Sequence, residues 1–500
     1  MTSIDRQQFP STAKHYTDNR DGILSGVRIG GSWFSTTGRA AQKTLDPSTG
    51  AVIAHVSVAT RADIDSAVDA ARAALSSEEW GKMPPARRAE VLWRLGDLID
   101  ENEEELSRLE TIDQGQPLSI ARAFSVRGAA QHFRYYAGWC TKLDGRVPQV
   151  SRTDAMLFTQ RIPVGVCALI TPWNFPLMIA AWKLAPALAA GNTVLLKPAE
   201  QTPLTSLRLA ELASEAGIPD GVVNVVCGGP EVGEALTLHP RIDKVSFTGS
   251  TEVGQKIVRA AAGNLKRVSL ELGGKAPAIV CADADLDRAV RMSVQSMTTN
   301  SGQVCGALSR FFVHESLVTE FERRAAEAIQ QIVVGPGLAS GTQMGPLNSE
   351  EHRNRVLAMV DRAQTEGAVL SAKGRVPVSE GNYMPPQILT AVNPEMEIAK
   401  EEIFGPVMPV IPYRDLDDAI RWVNNSDYGL AATVFTERLS TGHDLARRID
   451  AGSVRVNTLS GLDPAAPWGG IKMSGWGREM GEEALDAYTE VKATWIGLDS

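Results

Sequence analysis

At 500 residues the chain is too long for one hydrophobic core, and a composition of 43% apolar and 22% charged residues is that of a globular protein with two or three domains. A formal net charge of −9 offers no general basic field to a polyanion, which argues against nucleic acid as a partner. Five cysteines (Cys140, Cys167, Cys227, Cys281 and Cys305) contain no CxxC pair, so they describe neither a disulfide framework nor a zinc site and point to a reducing, cytoplasmic setting.

The opening "MTSIDRQQFPSTAKHYTDNRDG" is polar and lacks the apolar core of a signal peptide. A strand-like lead, "GVRIGGSWFS", precedes "TRADIDSAVDAARAAL", where Ile64, Ala67, Val68, Ala71, Ala74 and Leu75 fall at helical spacing behind a Thr60–Asp63 capping box. Two further helices are predicted around Arg87–Ile112 and Pro117–Ala137. The segment "GRVPQVSRTDAMLFTQRIPVG" reads as an excursion, a hairpin with exposed edges. The uncharged run from Pro163 to Trp182 is long enough to raise the question of a membrane span. Three prolines and Asn174 divide it into a buried strand, a turn and the start of a helix, so no membrane is expected.

From about Val164 short apolar strands ("VGVCALI", "TVLLK", "GVVNVVC", "KVSFTG", "RVSLEL") alternate with helical patterns, which predicts a doubly wound parallel sheet. Ligands of such sheets bind beyond the carboxyl ends of the strands. Four unusual segments fall there: "TPWNFP", "KPAE", "TGSTEVG" and "ELGGK". A second α/β region is expected from about Pro277 to Lys472, opening with "PAIVCA" and a helix that ends near Cys305; the tail "DAYTEVKATWIGLDS" is a candidate strand.

Cys305, in "NSGQVC", lies between Gly302 and Gly306 instead of inside an apolar run, as a thiol held for access would. A lone cysteine is more often an inert buried thiol, so the assignment depends on its company. Glu271 ends an apolar strand before two glycines; burial would lift it toward the range of a general base, while a surface or capping acid is the plain alternative. Asn174, stiffened by prolines and aromatics in "PWNFP", is suited to donate to a developing oxyanion, or simply to make an Asx-turn. Gly249 and Ser250 at a strand-to-helix junction present N–H groups to an anion such as a pyrophosphate. Lys197 and Glu200 sit at another strand end, where a carboxylate accepts from ribose hydroxyls and repels a 2′-phosphate; a solvated ion pair is the alternative.

Taken in order, "PWNFP", "LLKPAE", "FTGST", "LELGGK", "NSGQVC" and "EEIFGPV", closed by "PWGGIKMSGWGRE", resemble the aldehyde dehydrogenase superfamily, in particular its NAD(P)-dependent hydrolytic members of the phenylacetaldehyde and betaine aldehyde type. The resemblance implies an α/β fold. A Rossmann-like doubly wound sheet for the cofactor would take residues 1–137 and 159–273. A second α/β catalytic domain would take 274–484, and a small β oligomerisation element 138–158 and 485–500. It implies Cys305 as nucleophile, Glu271 as the base for hydrolytic water and Asn174 as half of an oxyanion hole. NAD, favoured over NADP, would be held by Lys197, Glu200, Gly249, Ser250, Leu272, Glu402, Phe404 and Trp173. No metal is implied. Glu271 favours hydrolysis over acyl transfer to CoA. The pocket departs from the common pattern at Thr299 and Trp468; with Phe175, Met178, Trp182, Val304 and Leu462 these residues imply an apolar tunnel for an aryl, aryl-alkyl or long aliphatic aldehyde. Betaine aldehyde, whose cation would want an aromatic and acidic box, is the lesser option. A homo-oligomer, dimer or tetramer, is expected because the segments near 145–162 and 487–498 expose strand edges.

Overall fold

The computed structural model describes residues 23–459 and 461–498. Around the first sheet run β1 (Val166–Ile170), β2 (Thr193–Lys197), β3 (Val223–Val226), β4 (Lys244–Thr248) and β5 (Arg267–Glu271), all parallel in the spatial order β5-β4-β1-β2-β3. Short antiparallel strands cap it: Gly475–Trp476 on β5, and Val27–Ile29 with Ser32–Trp33 beyond β3. The chain winds outward from β1 to β3, then returns to lay β4 against the other side of β1. That reversal puts the switch point between β1 and β4, where a parallel sheet leaves a crevice at its carboxyl edge. The β1 to β3 strands are buried throughout, as expected of strands covered by helices on both faces.

Only "LGGK" separates the end of β5 from β6 (Ala276–Val280), the first strand of a second sheet. With β7 (Leu308–His314), β8 (Gln387–Thr390), β9 (Val407–Tyr413), β10 (Ala431–Phe435) and β11 (Ser453–Val456) it forms the parallel order β8-β9-β7-β6-β10-β11, edged by antiparallel Val369–Lys373. The α/β class and parallel sheets expected from the alternating pattern are therefore present.

Helices that matter below are α1 (Arg127–Ala137), α2 (Pro176–Ala189), α3 (Thr251–Ala261) and α4 (Leu286–Thr298). The capping box is formed: Thr60 Oγ1 accepts from Asp63 N at 3.2 Å and Asp63 accepts from Thr60 N at 2.7 Å. Two expected helices are not continuous. The one expected over Arg87–Ile112 breaks at Asn102 into Pro85–Glu101 and Glu103–Gln114, with the Asn102 side chain donating to Leu98 O at 2.8 Å in competition with the helix ladder. The one expected over Pro117–Ala137 carries a π-turn at Ala121–Val126. The expected hairpin is also different. Ala155–Pro163 pairs along nine residues with the C-terminal strand Thr489–Gly497, making an antiparallel ribbon from distant parts of the chain. No helix among the described residues is long and apolar enough to cross a membrane.

Candidate active site

The cysteine loop is a strained turn at the end of α4. Asn300, Ser301 and Gly302 adopt φ of 47°, 57° and 76°, three left-handed residues in succession. For the non-glycine residues such geometry costs about 1–3 kcal/mol each and persists only where neighbours hold it. They do: Asn300 Nδ2 donates to Asn174 O at 2.9 Å, Ser301 Oγ donates to Gly345 O at 2.8 Å, and Gln303 Nε2 donates to Asn300 O at 3.0 Å. At Gly302 a side chain is barred, since a Cβ there would lie 2.4 Å from Gly405 O. The turn delivers Cys305 half-buried, whereas the other four cysteines are fully buried. Burial, with Glu271 and then Glu402 nearby, pushes its thiol up to about 12, against the pull of the Gly306 and Cys305 N–H groups.

Asn174 is fixed by the turn after β1, its Nδ2 donating to Gln303 O at 2.9 Å. The amide thus reaches the cysteine loop while keeping a second N–H. Glu271, the last residue of β5, is 5% exposed, and neither carboxylate oxygen has a hydrogen-bond partner among the described residues. Its proton affinity is raised well above the ordinary carboxylate range, first by burial and then by Glu479, with Lys183 and Arg478 opposing. Lys183 stands in the wholly buried α2 and pairs with Glu479, also donating to Ser246 Oγ at 3.1 Å. Gly469 of "PWGG" leaves room for the acid: a Cβ at this position (φ +158°) would sit 2.7 Å from Glu271 Oε1.

One cavity of about 530 Å³ is lined by Cys305, Glu271 and Asn174 together with Trp173, Gly249, Ser250, Leu272, Glu402 and Phe404. It opens at the β1/β4 switch point. Ser250 caps α3, accepting from Val253 N at 3.4 Å, and the neighbouring Thr248 hydroxyl is buried without a partner among the described residues. Glu402 accepts from Gly274 N at 3.0 Å and is pushed up to about 7, chiefly by burial. Phe404 is held in a left-handed conformation (φ 56°), edge-on to Trp173 with ring centroids 5.4 Å apart. Lys197 is buried and is not among the residues lining this cavity; it donates to Pro198 O at 3.2 Å, with its proton affinity lowered by burial against the pull of Glu200.

Phe175, at the N-cap of α2, and Met178 and Trp182 within it belong to a packed cluster that includes Val304, Cys305 and Trp468. Trp468 crosses Gly306 so closely that a Cβ there would meet its ring at 2.6 Å. Leu462 is 43% exposed on its loop. Thr299 borders a different surface cavity of about 760 Å³, between α4 and the helix Val318–Gln330.

Several contributors carried no legible motif. Asn348, His352 and Arg355 line the cavity from the helix Glu350–Thr365 and the turn before it. Burial holds His352 down to about 4, and its Nε2 lies 2.7 Å from Phe404 O. Arg455 donates to Gly306 O and Leu459 O, both at 3.1 Å. Lys183 did leave a signal, a single lysine inside the apolar run "LMIAAWKLAPALA".

The aldehyde dehydrogenase family model matches residues 33–494. Retinaldehyde dehydrogenase 3 of Rattus norvegicus is 45% identical over 476 residues, 95% of this chain and 93% of that protein. The NAD+ complex of an aldehyde dehydrogenase from Bacillus cereus matches with a TM-score of 0.95 at 42% identity, covering 98% of this chain and 99% of that one. An indole-3-acetaldehyde dehydrogenase complexed with NAD+ matches with a TM-score of 0.93 at 42% identity, over 95% and 97% of the two chains. A cysteine loop, a buried acid and a switch-point crevice in one cavity, on a fold and sequence shared this fully, place the chain in the aldehyde dehydrogenase family, oxidoreductases acting on aldehydes.

Proposed function

We propose that this enzyme oxidises an apolar aldehyde, aryl, aryl-alkyl or long aliphatic, to its carboxylic acid, with NAD as hydride acceptor and water as the final nucleophile. The observation that carries this reading is the Glu271 carboxylate, buried without a hydrogen-bond partner among the described residues in the cavity it shares with Cys305 and Asn174.

Cys305 gives its thiol proton to water, and Sγ, now thiolate, forms a bond to the aldehyde carbon while the carbonyl π electrons move to oxygen. The Asn174 Nδ2–H and the Cys305 N–H stabilise that oxyanion, a contact worth about 3–4 kcal/mol in related chemistry. NAD, when bound, supplies the acceptor for the hydride that leaves the same carbon. A thioester is left on Cys305. Glu271 then takes a proton from a water molecule whose oxygen adds to the thioester carbon, and collapse returns the electron pair to sulfur and frees the acid. Its proton affinity, raised by burial, makes it a stronger base than an exposed carboxylate.

The residues fit a dinucleotide. Gly249 and the Ser250-capped end of α3 offer N–H groups to a pyrophosphate, and the Thr248 hydroxyl, without a partner among the described residues, adds a further polar atom. Lys197 and Glu200 would hold the adenine-side ribose, Glu200 disfavouring NADP. Glu402, Phe404, Trp173 and Leu272 would hold the nicotinamide side. We assign cofactor binding to 1–137 and 159–273, catalysis to 274–484, and assembly to 138–158 with 485–500. The ribbon exposes Met156, Ile162, Val491, Trp495 and Ile496, which supports a homo-oligomer, dimer or tetramer. The composition supports a cytoplasmic enzyme.

The test is NADH formation from a panel of aromatic and aliphatic aldehydes without CoA, with the carboxylic acid identified as product. Cys305→Ala should abolish turnover while NAD binding, followed by quenching of tryptophan fluorescence, persists; undiminished turnover in this variant would remove the proposed nucleophile.

A further inference from the structure

The cavity of about 760 Å³ between α4 and the helix Val318–Gln330 takes no part in the chemistry derived above: no described residue lines both it and the cavity of Cys305. Its volume is that of a small-molecule site, a class that runs from about 300 to 1,000 Å³.

One wall is a stripe of α4, where Asp287, Val290, Val294 and Thr298 stand three or four residues apart with Arg291 and Gln295 beside them. Arg323, Arg324, Glu327 and Ala328 of the facing helix form the other. The floor between them is apolar. Val290 and Val294 belong to the packed cluster that also borders Cys305, and Ile120, Ala328 and Ile332 lie half-buried against it.

The charges at the rim are unequally engaged. Arg323 pairs with Glu320 at 2.7 Å and Glu327 at 2.5 Å, and Arg324 pairs with Glu320 at 2.7 Å and with Asp287. Both lining acids are thus already paired. Arg291 has no ion pair and no side-chain hydrogen bond among the described residues. Asp285, at the N-cap of α4, is bonded to Arg288 instead, through the Arg288 N–H at 3.0 Å and guanidinium at 3.5 Å, and feels Arg291 least among the groups acting on it. Gln343 Oε1 accepts from Val333 N at 2.9 Å, which leaves its amide N–H groups, with those of Gln295 one turn along from Arg291, as neutral donors on the same rim.

We propose that this cavity is a second binding site, for a singly charged carboxylate carried on an apolar body: the body covers the valine floor and the carboxylate pairs with the Arg291 guanidinium. A planar guanidinium matches a carboxylate through two parallel N–H bonds. One free cation among neutral amides suits one negative charge and not the two of a phosphate monoester, and it repels an ammonium. The acid released by the proposed oxidation of an apolar aldehyde is a molecule of this class. The inference rests on that reading for its ligand and gives the product a place outside the catalytic cavity.

The probe is decanoic acid carrying a diazirine in its chain, photolysed with the wild-type enzyme at saturating NAD and mapped by peptide mass spectrometry. Label should fall on α4 and the facing helix, and unlabelled decanoate should displace it about tenfold better than 1-decanol or decylamine. Arg291→Gln should weaken this labelling by about threefold to tenfold, Arg291→Lys should keep part of it, and Ala328→Trp, which fills the floor, should remove it. Both Arg291 variants should keep kcat/KM for an aldehyde within about twofold of wild type. Label confined to the peptides around Trp173 and Cys305 overturns the inference, as do absence of label, equal displacement by decanoate and decanol, and labelling that Arg291→Gln leaves undiminished. None of these results touches the aldehyde-oxidising reading, which fails separately if no aldehyde yields NADH.

Discussion

Glu271 at the end of β5 and the pair Glu110–Asp113 in the helical layer are all fully buried acids, and all bind their protons more tightly than an exposed carboxylate. Burial is the first cause in each case; it lifts Glu110 to about 7 and Asp113 to about 8, where the neighbouring Glu110 contributes too. What differs is the bonding. Glu110 accepts from Thr205 Oγ1 at 2.8 Å and Gln116 Nε2 at 3.3 Å. Asp113 accepts from Thr44 Oγ1 at 2.7 Å and Leu204 N at 2.9 Å, joining three distant segments of the chain. Glu271 accepts from nothing among the described residues. A displaced proton affinity thus marks burial in both regions, and only the hydrogen-bond accounting separates an acid that ties the scaffold together from one whose oxygens have no partner among the described residues.

The sharpest way to break this comparison is to make the same change in both places. Glu271→Gln should lower steady-state turnover by about 10²–10⁴, the usual contribution of a positioned general base. Rapid mixing should still show a burst of about one NADH per active site, because the loss falls on thioester hydrolysis. Glu110→Gln should leave the steady-state rate within about twofold and lower stability instead, by about 1–3 kcal/mol. Equal kinetic losses in the two variants would dissolve the distinction. Next in size, Asn174→Ala should cost about 10²–10³ in kcat with little change in KM, as removal of one oxyanion donor does. A loss confined to KM would mean that the amide binds ground-state aldehyde and not the oxyanion.

Much of this contrast was legible from the sequence on one side only. Asn174, Ser250, Glu271 and Cys305 sit at strand or helix ends in short stretches whose glycines, prolines and polar residues have local physical reasons, and all four line one cavity in the structure. The partners of the groups around them did not show, because each contact spans a long stretch of chain. Lys183 meets Glu479 across 296 residues, and His352 meets the Phe404 carbonyl across 52. The break at Asn102 and the π-turn at Ala121–Val126 were missed for the opposite reason: neither contains the glycine or proline that punctuates a helix, so periodicity ran straight through them. The C-terminal strand was visible as a strand, but its partner Ala155–Pro163 was not, since pairing partners are chosen by tertiary placement.

The tuning of Glu271 can be tested apart from its chemistry. Glu479 raises the acid's proton affinity and Lys183 lowers it. Glu479→Gln removes the like charge and leaves Lys183 uncompensated, and both changes favour the ionised form of Glu271. The acidic limb of the pH–rate profile should therefore move to lower pH, giving a several-fold gain relative to wild type on that limb when each profile is scaled to its own plateau. A limb that stays in place would show that another group governs the base.

The smallest effect belongs to the scaffold. Asp113 binds its proton up to about 8 in the folded protein but near 4 in the unfolded chain. The stability tied to that proton is fully present below pH 4 and is lost as pH rises through 8, because over that window the unfolded state releases a proton that the folded state keeps. Asp113→Asn has no proton to lose. It also gives Leu204 N an amide where it had a carboxyl oxygen, so the absolute stability should drop by about 1–3 kcal/mol at low pH. The slope is the informative quantity: between pH 5 and 7.5 the wild type should lose up to about 1.4 kcal/mol per pH unit more than the variant, read from denaturant midpoints at fixed protein concentration. Parallel slopes would mean that Asp113 is ionised in the folded protein, stabilised as an anion by the same Thr44 and Leu204 bonds that set it apart from Glu271.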